Sequence, residues 1–355
     1  MKKLKYILSG LVLVLLFFVS CEEYYNPDLE ETPGLMVVES HLTNDPNQNF
    51  VKLSKALNFY TNGHGEEISG AKVDLLEIGG TKTRAIESTT GYFTFPNTPV
   101  PGKKYMLQIT YLKDIYESVP VIMPPLPNID TIYTNHKVEK SYRTDVLGGP
   151  QLIENPGREI CIDAPITPLL EYYRFNCHTI LQWVVPPPPI PFGPPPLYGW
   201  KSFYDNGVFN IAGPKQFSVS DQVKNHPLKF LGYDYHTYLD SDTQIAAGWI
   251  LIIDEYGISK ESYDFHEQLN KQLSAEGSLF DPVLMQVTGN IRCITDSKKI
   301  VLGFFDLNSY RQYRYFFYFG QDQSSKVNQR QITRYLEIPG DGSQYGVPPI
   351  FWENM

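Results

Sequence analysis

The chain has 355 residues, and without a 20-residue leader it keeps 335, more than one hydrophobic core commonly organises, so two domains are expected. Apolar residues at 42% and charged residues at 19% exclude both a disordered chain and a multi-span membrane protein. The formal charge of −9 becomes about −12 without Lys2, Lys3 and Lys5, so no basic face is expected for phosphate and nucleic acid is excluded as a partner. Aromatics at 14% and 28 prolines favour strands and turns over helix bundles.

Lys2, Lys3 and Lys5 form a positive start, and Tyr6 to Val19 is an apolar run too short for a stable span. Ser20 then precedes Cys21. A small residue before cysteine, after such a run, resembles a bacterial lipobox, in which the thiol is acylated and becomes the new amino end. Phe18 stands where that motif usually has Leu. The alternatives are an uncleaved anchor or a plain secretory signal. Each buried methylene of an acyl chain contributes about 0.8 kcal/mol, so several chains on Cys21 would anchor the protein, with palmitate-type lipid and no protein span. Glu22 and Glu23 follow at once; this acidic pair resembles the surface-export signal of Bacteroidota lipoproteins, and it also fits a solvated tether. Cys161, Cys177 and Cys293 remain, so one disulfide with a spare thiol, or three buried thiols, are both open.

In chain order, residues 21–34 read as a tether with Pro27 and Pro33. Strands are expected at Leu35–Ser40, Phe50–Ser54, Ile68–Ile78, Thr83–Ile86, Gly91–Phe95, Tyr105–Tyr111 and Ser118–Ile122, with a turn at Asn44–Asn47. Pro120 would confine the last of these to an edge. Seven short strands over 35–123 predict a small antiparallel β-sandwich. Pro124–Pro127 is the expected boundary. The remainder, 128–355, is again mainly strand, with candidates at Tyr172–Leu181, Gly248–Asp254, Ile300–Phe305 and Tyr313–Phe319. One helix is expected at Ser259–Leu273, capped by Ser259, stapled by Ile258 and Tyr263, and burying Phe265, Leu269 and Leu273. The proline-rich stretch 186–200 reads as an exposed polyproline II loop, either docking on a partner or lidding the sandwich.

These blocks, taken in order, resemble the domain of unknown function 4249 lipoproteins of Bacteroidota. The residues concerned are Leu35–Glu39 with Thr43-Asn44, Val51–Ser54, Ile68–Val73, Gly91-Tyr92, Pro101–Leu107 and Pro124–Asp130. The C-terminal part adds Tyr263–Phe265, Leu279–Asp281, Val287–Ile291 and Val301–Phe305. The resemblance implies an envelope lipoprotein with no assigned reaction, often encoded beside TonB-dependent receptors. Ser69–Ala71 with Gly91–Phe93 further resembles a transthyretin/Ig-like sandwich. The family supplies no catalytic motif.

The residues themselves supply none either. His266-Glu267 begins like a zinc-protease motif, but Asn270 stands where the second ligand belongs, so a solvated helix face is expected. No G-x-S-x-G elbow and no phosphate-cradling glycine loop occurs. Leu239–Gln244 begins like a calcium loop without its Gly and closing Glu, and Asp254-Glu255 is a further carboxylate pair; a plain turn is the simpler reading of the first. No metal or cofactor is expected. The possible ligand or partner contacts are aromatic: Tyr198 and Trp200 after the prolines, and Tyr233, Tyr235 and Tyr238. Tyr233 and Tyr235 would share one face if that segment is a strand, and packing within the sheet is the competing reading.

The sequence therefore predicts a mainly β, two-domain lipoprotein of the outer membrane, facing outward. With what the resemblance implies, its expected role is a non-enzymatic binding component beside a TonB-dependent transporter for peptide or glycan. A structural or adhesive surface protein is the alternative, and a hydrolase with an unfamiliar site the second.

Overall fold

The computed structural model describes residues 34–57, 63–144, 148–186, 188–193, 197–204, 207–214, 222–232, 245–274 and 287–318. It is mainly β, with one α-helix among the described residues. In chain order the strands begin with β1 (Met36–Leu42), β2 (Phe50–Lys55), β3 (Lys72–Glu77), β4 (Lys82–Arg84), β5 (Ile86–Thr89) and β6 (Tyr92–Thr94). Next come β7 (Lys104–Tyr111), β8 (Asp114–Ser118), β9 (Val121–Ile122), β10 (Thr131–Thr144), β11 (Pro150–Pro165) and β12 (Tyr172–Val185). Then follow β13 (Leu197–Tyr204), β14 (Asn210–Ala212), β15 (Gln222–Gly232), β16 (Ile245–Ile258) and helix α1 (Lys260–Leu273). The last three are β17 (Ile291–Cys293), β18 (Val301–Leu307) and β19 (Ser309–Tyr318).

Two sheets form the first sandwich, ordered β18-β1-β2-β6-β5 and β17-β8-β7-β3-β4, with β9 added to β7. Alternate residues of β1, Met36, Val38 and Leu42, meet Val73, Leu75, Leu107 and Ile109 from the other sheet in one core. Each such side chain, when fully buried, contributes roughly 1.5–3 kcal/mol. Two of its strands come from the far end of the chain. β18 pairs with β1 in parallel, from Met36↔Val301 to Leu42↔Leu307, and β17 pairs with β8. Assigning everything after 128 to a second module is thereby corrected: Ile291, Cys293, Val301, Phe305 and Leu307 belong to the first core. Pro120 splits the expected strand into β8, which lies between β17 and β7, and β9, which among the described residues pairs with β7 alone and so lies at an edge.

The parallel pairing explains two glycines. Gly303 has φ +96°, a region that favours glycine, and a Cβ there would lie 2.0 Å from the Val38 carbonyl oxygen. A Cβ on Gly289 would in turn lie 1.8 Å from the Gly303 carbonyl oxygen. Three backbones meet where only hydrogen fits.

The second sandwich packs β10-β11-β15 against β13-β12-β16-β19, with β14 on β12. Its core joins Ile132, Ile160 and Ile162 to Phe175, Cys177, Trp249, Leu251 and Ile253. Ile250 and Ile252, on the other face of β16, are also fully buried, which is why Trp249 to Ile253 is an unbroken apolar run. Cys161, Cys177 and Cys293 are three buried free thiols. Burial pushes the Cys177 thiol up to about 12, so it stays protonated and inert.

The sandwiches are tied at several points. The expected linker lies along β19: Ser309 Oγ donates to the Pro125 carbonyl at 2.6 Å, and the Ile129 amide donates to Tyr313 Oη at 3.1 Å. A single residue, Asn308, separates β18 in one sandwich from β19 in the other. Asn44, in the predicted turn, acts as a detached strand residue. Its Nδ2 donates to the Tyr310 carbonyl at 3.1 Å, and its Oδ1 accepts from the Tyr310 amide at 2.7 Å. Asn44→Ala removes both bonds and leaves part-buried backbone groups unmet, an expected cost of about 1–3 kcal/mol. Urea unfolding followed by tryptophan fluorescence checks this, because the described tryptophans, Trp183, Trp200 and Trp249, all lie in the second sandwich. An unchanged midpoint would show that the clamp contributes nothing.

Candidate functional site

Helix α1 bridges the two sandwiches. Ser259 caps it, its hydroxyl accepting from the Ser262 amide at 3.1 Å, and Tyr263 packs on the cluster containing Ile258, as the staple requires. The buried stripe differs from the expected one. Ser262 and His266 are buried, and Leu273 is 61% exposed. The reason is that the helix lies over a polar patch rather than over the core. Phe265 stacks on Phe304 of β18, with ring centroids 4.5 Å apart. Asn270 clamps Phe209, donating to its carbonyl at 2.7 Å and accepting from its amide at 2.6 Å.

Beneath the helix sits a buried polar cluster. Asp306 Oδ1 accepts from Ser262 Oγ at 2.6 Å, and Asp306 Oδ2 lies 3.5 Å from Arg174 Nη2. Arg174 also rests on the Tyr256 ring, 4.5 Å from its centroid, and approaches His41 Nδ1 at 3.4 Å. His41 Nδ1 is 3.8 Å from Asp306, farther than it is from the guanidinium. A guanidinium is always charged and always a donor, so Arg174 is the permanent ion partner of Asp306. Burial alone would raise the Asp306 carboxyl. His41, Arg174 and His266 outweigh it and hold the group well below the usual carboxylate range. Burial pushes the His266 imidazole below its usual value, against the pull of Asp306.

Serine, histidine and aspartate meet here, but not as a nucleophile triad. His266 Nδ1 lies 2.7 Å from the Ser262 carbonyl oxygen, so that nitrogen donates and holds no lone pair for the hydroxyl 3.4 Å away. The carboxylate takes the serine hydroxyl directly instead of orienting the imidazole. Ser262 is 2% exposed, so no substrate reaches it. The expectation of a solvated His266 is corrected; the ring is buried and T-shaped against Phe209 at 4.7 Å.

On the solvent side of the helix lies a cleft of about 820 Å³, within the roughly 300–1,000 Å³ of ligand pockets. One wall is the helix face with Lys260, Tyr263, Asp264 and Glu267; another is the start of β15, Gln222 to Pro227; Tyr172, Ile211 and Gly213 close it. The rings of Tyr172 and Tyr263 are 5.0 Å apart and tilted by 46°. Gly213 lies so close to Tyr172 that a Cβ would be 2.7 Å from the ring. Lys260 Nζ donates to Asp264 Oδ2 at 2.5 Å and Lys271 Nζ to Glu267 Oε2 at 3.0 Å, so each carboxylate is neutralised one turn away. A second cavity, about 500 Å³, lies between Arg174, Asn176, Cys177 and Phe209.

Sequence reasoning missed this cleft. Its tyrosines lie in a strand and a helix far apart in the chain, and each reads as packing. Of the expected aromatic contacts, Trp200 is 3% exposed, so it is a sheet residue, on a strand that begins at Leu197 inside the expected loop. Tyr198 lies in β13 opposite Val184, with its side chain outside the described set. Cys21, Glu22, Glu23, Tyr233, Tyr235, Tyr238 and the 239–244 turn lie outside the described residues. Asp254 and Glu255 are neighbours on a strand and point to opposite faces, so they cannot pair. Among the described residues no group of three metal-ligating side chains occurs, and no helix is long and apolar enough to cross a membrane.

The sequence matches the family described as Domain of unknown function (DUF4249) over residues 22–314. The chain belongs to this family. No curated protein and no solved structure matches it. Several residues within the matched range have a structural meaning. Asn44, Gly289, Gly303 and Tyr263 sit at or near the junction of the sandwiches, where they make clamps, close approaches and packing.

Proposed function

We propose that this DUF4249 protein is a lipid-anchored, outward-facing component of the outer membrane that binds a nutrient, peptide or glycan, for a TonB-dependent transporter without chemically changing it. The observation that carries the reading is the cleft: an open cavity lined by a tyrosine pair and by hydrogen-bonding side chains on both walls. Anchoring through Cys21 would raise its effective concentration near the pore. The chain's polarity supports this reading. β1 starts at Met36 and reaches the junction at Leu42, where Asn308 donates to the Leu42 carbonyl, so the tether joins the pole away from the second sandwich.

Cys21→Ser is expected to abolish incorporation of labelled palmitate and to release the protein from the membrane fraction. Retention of label in the variant would sink the anchoring reading. Affinity purification of the wild-type protein from detergent-solubilised outer membrane is expected to recover a TonB-dependent receptor, and repeated recovery of none would refute that association.

An adhesive role is favoured by a different feature. Among the described residues, β10 and β11 continue beyond the Gly157↔Gly232 pairing as a two-stranded arm from Val138↔Pro156 to Thr144↔Pro150. It exposes Val138, Tyr142, Leu152 and Ile153. Deleting the arm tip separates the roles: lost surface attachment with intact ligand binding would favour adhesion.

A further inference from the structure

The cleft beside α1 has a chemistry that selects among ligands. Its helix wall carries Lys260, Asp264 and Glu267, but the charges cancel within the helix through the Lys260–Asp264 and Lys271–Glu267 pairs. An ionic ligand on the helix wall would have to break one of these pairs, and Lys224 on the opposite wall is the one further ammonium among the described lining residues. Paired in this way, the carboxylates still offer acceptor oxygens at fixed positions, and Lys260 offers donors beside them. A donor–acceptor array of this kind fits hydroxyl groups, which give and take at one atom. Beside these groups on the helix wall, Tyr263 forms with Tyr172 a half-buried ring pair, a platform for a face of C–H groups.

The opposite wall argues against an extended peptide. Among the described residues β15 lies at the edge of its sheet, so strand addition would be the natural way to hold one. The edge is blocked where it lines the cleft. The Asn225 amide already donates to Asp163 Oδ1 at 2.8 Å. Pro227 has no N–H, and its carbonyl accepts from Asn210 Nδ2 at 2.9 Å. Asn225 also has φ +50°, which interrupts an extended ladder.

We infer that this cleft binds a neutral oligosaccharide, with Tyr172 and Tyr263 stacking on a sugar face and the Lys260–Asp264 pair holding vicinal hydroxyls. This rests on the binding reading proposed above and narrows it to one ligand class. The test uses the full lipidated chain in detergent against three probe sets: a broad array of neutral oligosaccharides, uronic-acid or sulfated oligosaccharides, and a library of extended peptides. Hits are followed by isothermal titration. Neutral oligosaccharides are expected to bind, and Tyr263→Ala to weaken them about tenfold or more, a difference of about 1.4 kcal/mol. Tyr263→Phe should keep most of the affinity, since it keeps the ring. Tyr142→Ala, on the distant arm, should change nothing.

Binding of neutral sugars that ignores Tyr263→Ala would overturn the site. Tyr263-dependent binding of peptides or charged sugars alone would overturn the ligand class and leave the binding reading standing. Failure of all three sets would overturn both.

Discussion

Replacing Asp306 by alanine is expected to destabilise the protein by about 3–5 kcal/mol at neutral pH, the usual cost of stranding one member of a buried ion pair. Its partner Arg174 has only 14% of its side chain exposed and cannot turn to water. Arg174 Nε already has no hydrogen-bond partner, so loss of the carboxylate leaves the guanidinium poorly met. The Ser262 hydroxyl loses its 2.6 Å acceptor at the same time. Asp306→Asn keeps an acceptor for Ser262 but removes the charge, so a smaller loss is expected, about 1–3 kcal/mol. The effect reaches beyond one sandwich, because Asp306 lies on β18, Arg174 on β12 and Ser262 on the bridging helix. The pH dependence has a definite sign. The folded carboxyl titrates below its usual 3.8, so its contribution is present above that value and is lost as pH falls below it. Denaturant titrations from pH 7 down to pH 2 should show a steady gap between wild type and Asp306→Ala above about pH 5 and convergence below the usual 3.8. A constant gap across that range would show that the ionised pair is not the source of the effect.

Much of this architecture is legible in the residues, and what is not has physical causes. β1, β2, β7 and β16 announce themselves because at least one of their faces is apolar. β10 and β11 do not. Their outer halves are exposed on both faces, so Lys137, Glu139, Lys140 and Arg143 break any period of two. The return of residues 291–307 to the first sandwich carries no local signal at all, since pairing with β1 depends on topology rather than on composition. Gly289 and Gly303 are visible as glycines, but the reason for them is an approach of three backbones remote in sequence. The helix is legible in its cap and staple. Its buried side was misplaced because a stripe of Phe265, Leu269 and Leu273 is the natural reading of hydrophobicity, and Ser262 with His266 becomes the buried side only once Asp306 is beneath it. The cleft follows the same rule. Tyr172 and Tyr263 become neighbours on one cleft only when the chain brings their rings within 5.0 Å.

Glu255→Gln is expected to stabilise the protein, and increasingly so as pH rises. Glu255 is fully buried on the core side of β16, and neither carboxylate oxygen has a hydrogen-bond partner. Burial pushes the carboxyl up to about 8 from the usual 4.5; Arg311 and Tyr313 oppose this, and Asp130 adds to it. The folded protein therefore keeps a proton that the unfolded chain releases. This is the reverse of Asp306: the neutral acid is tolerated fully below about pH 4.5, and stability is lost as pH rises through about 8. At about 1.4 kcal/mol per pH unit the ceiling on this loss is near 5 kcal/mol, and water entering the site on ionisation lowers it. Glutamine has the shape of the protonated acid and nothing to ionise. Wild type and variant should match within about 0.5 kcal/mol at pH 4.5 and differ by about 2–4 kcal/mol at pH 9. Denaturant midpoints at those two values are the measurement. A gap independent of pH would mean that Glu255 is ionised in the folded state, with Arg311 close enough to hold its charge. In that event Arg311 and Tyr313 hold an ionised carboxylate at this end of β16.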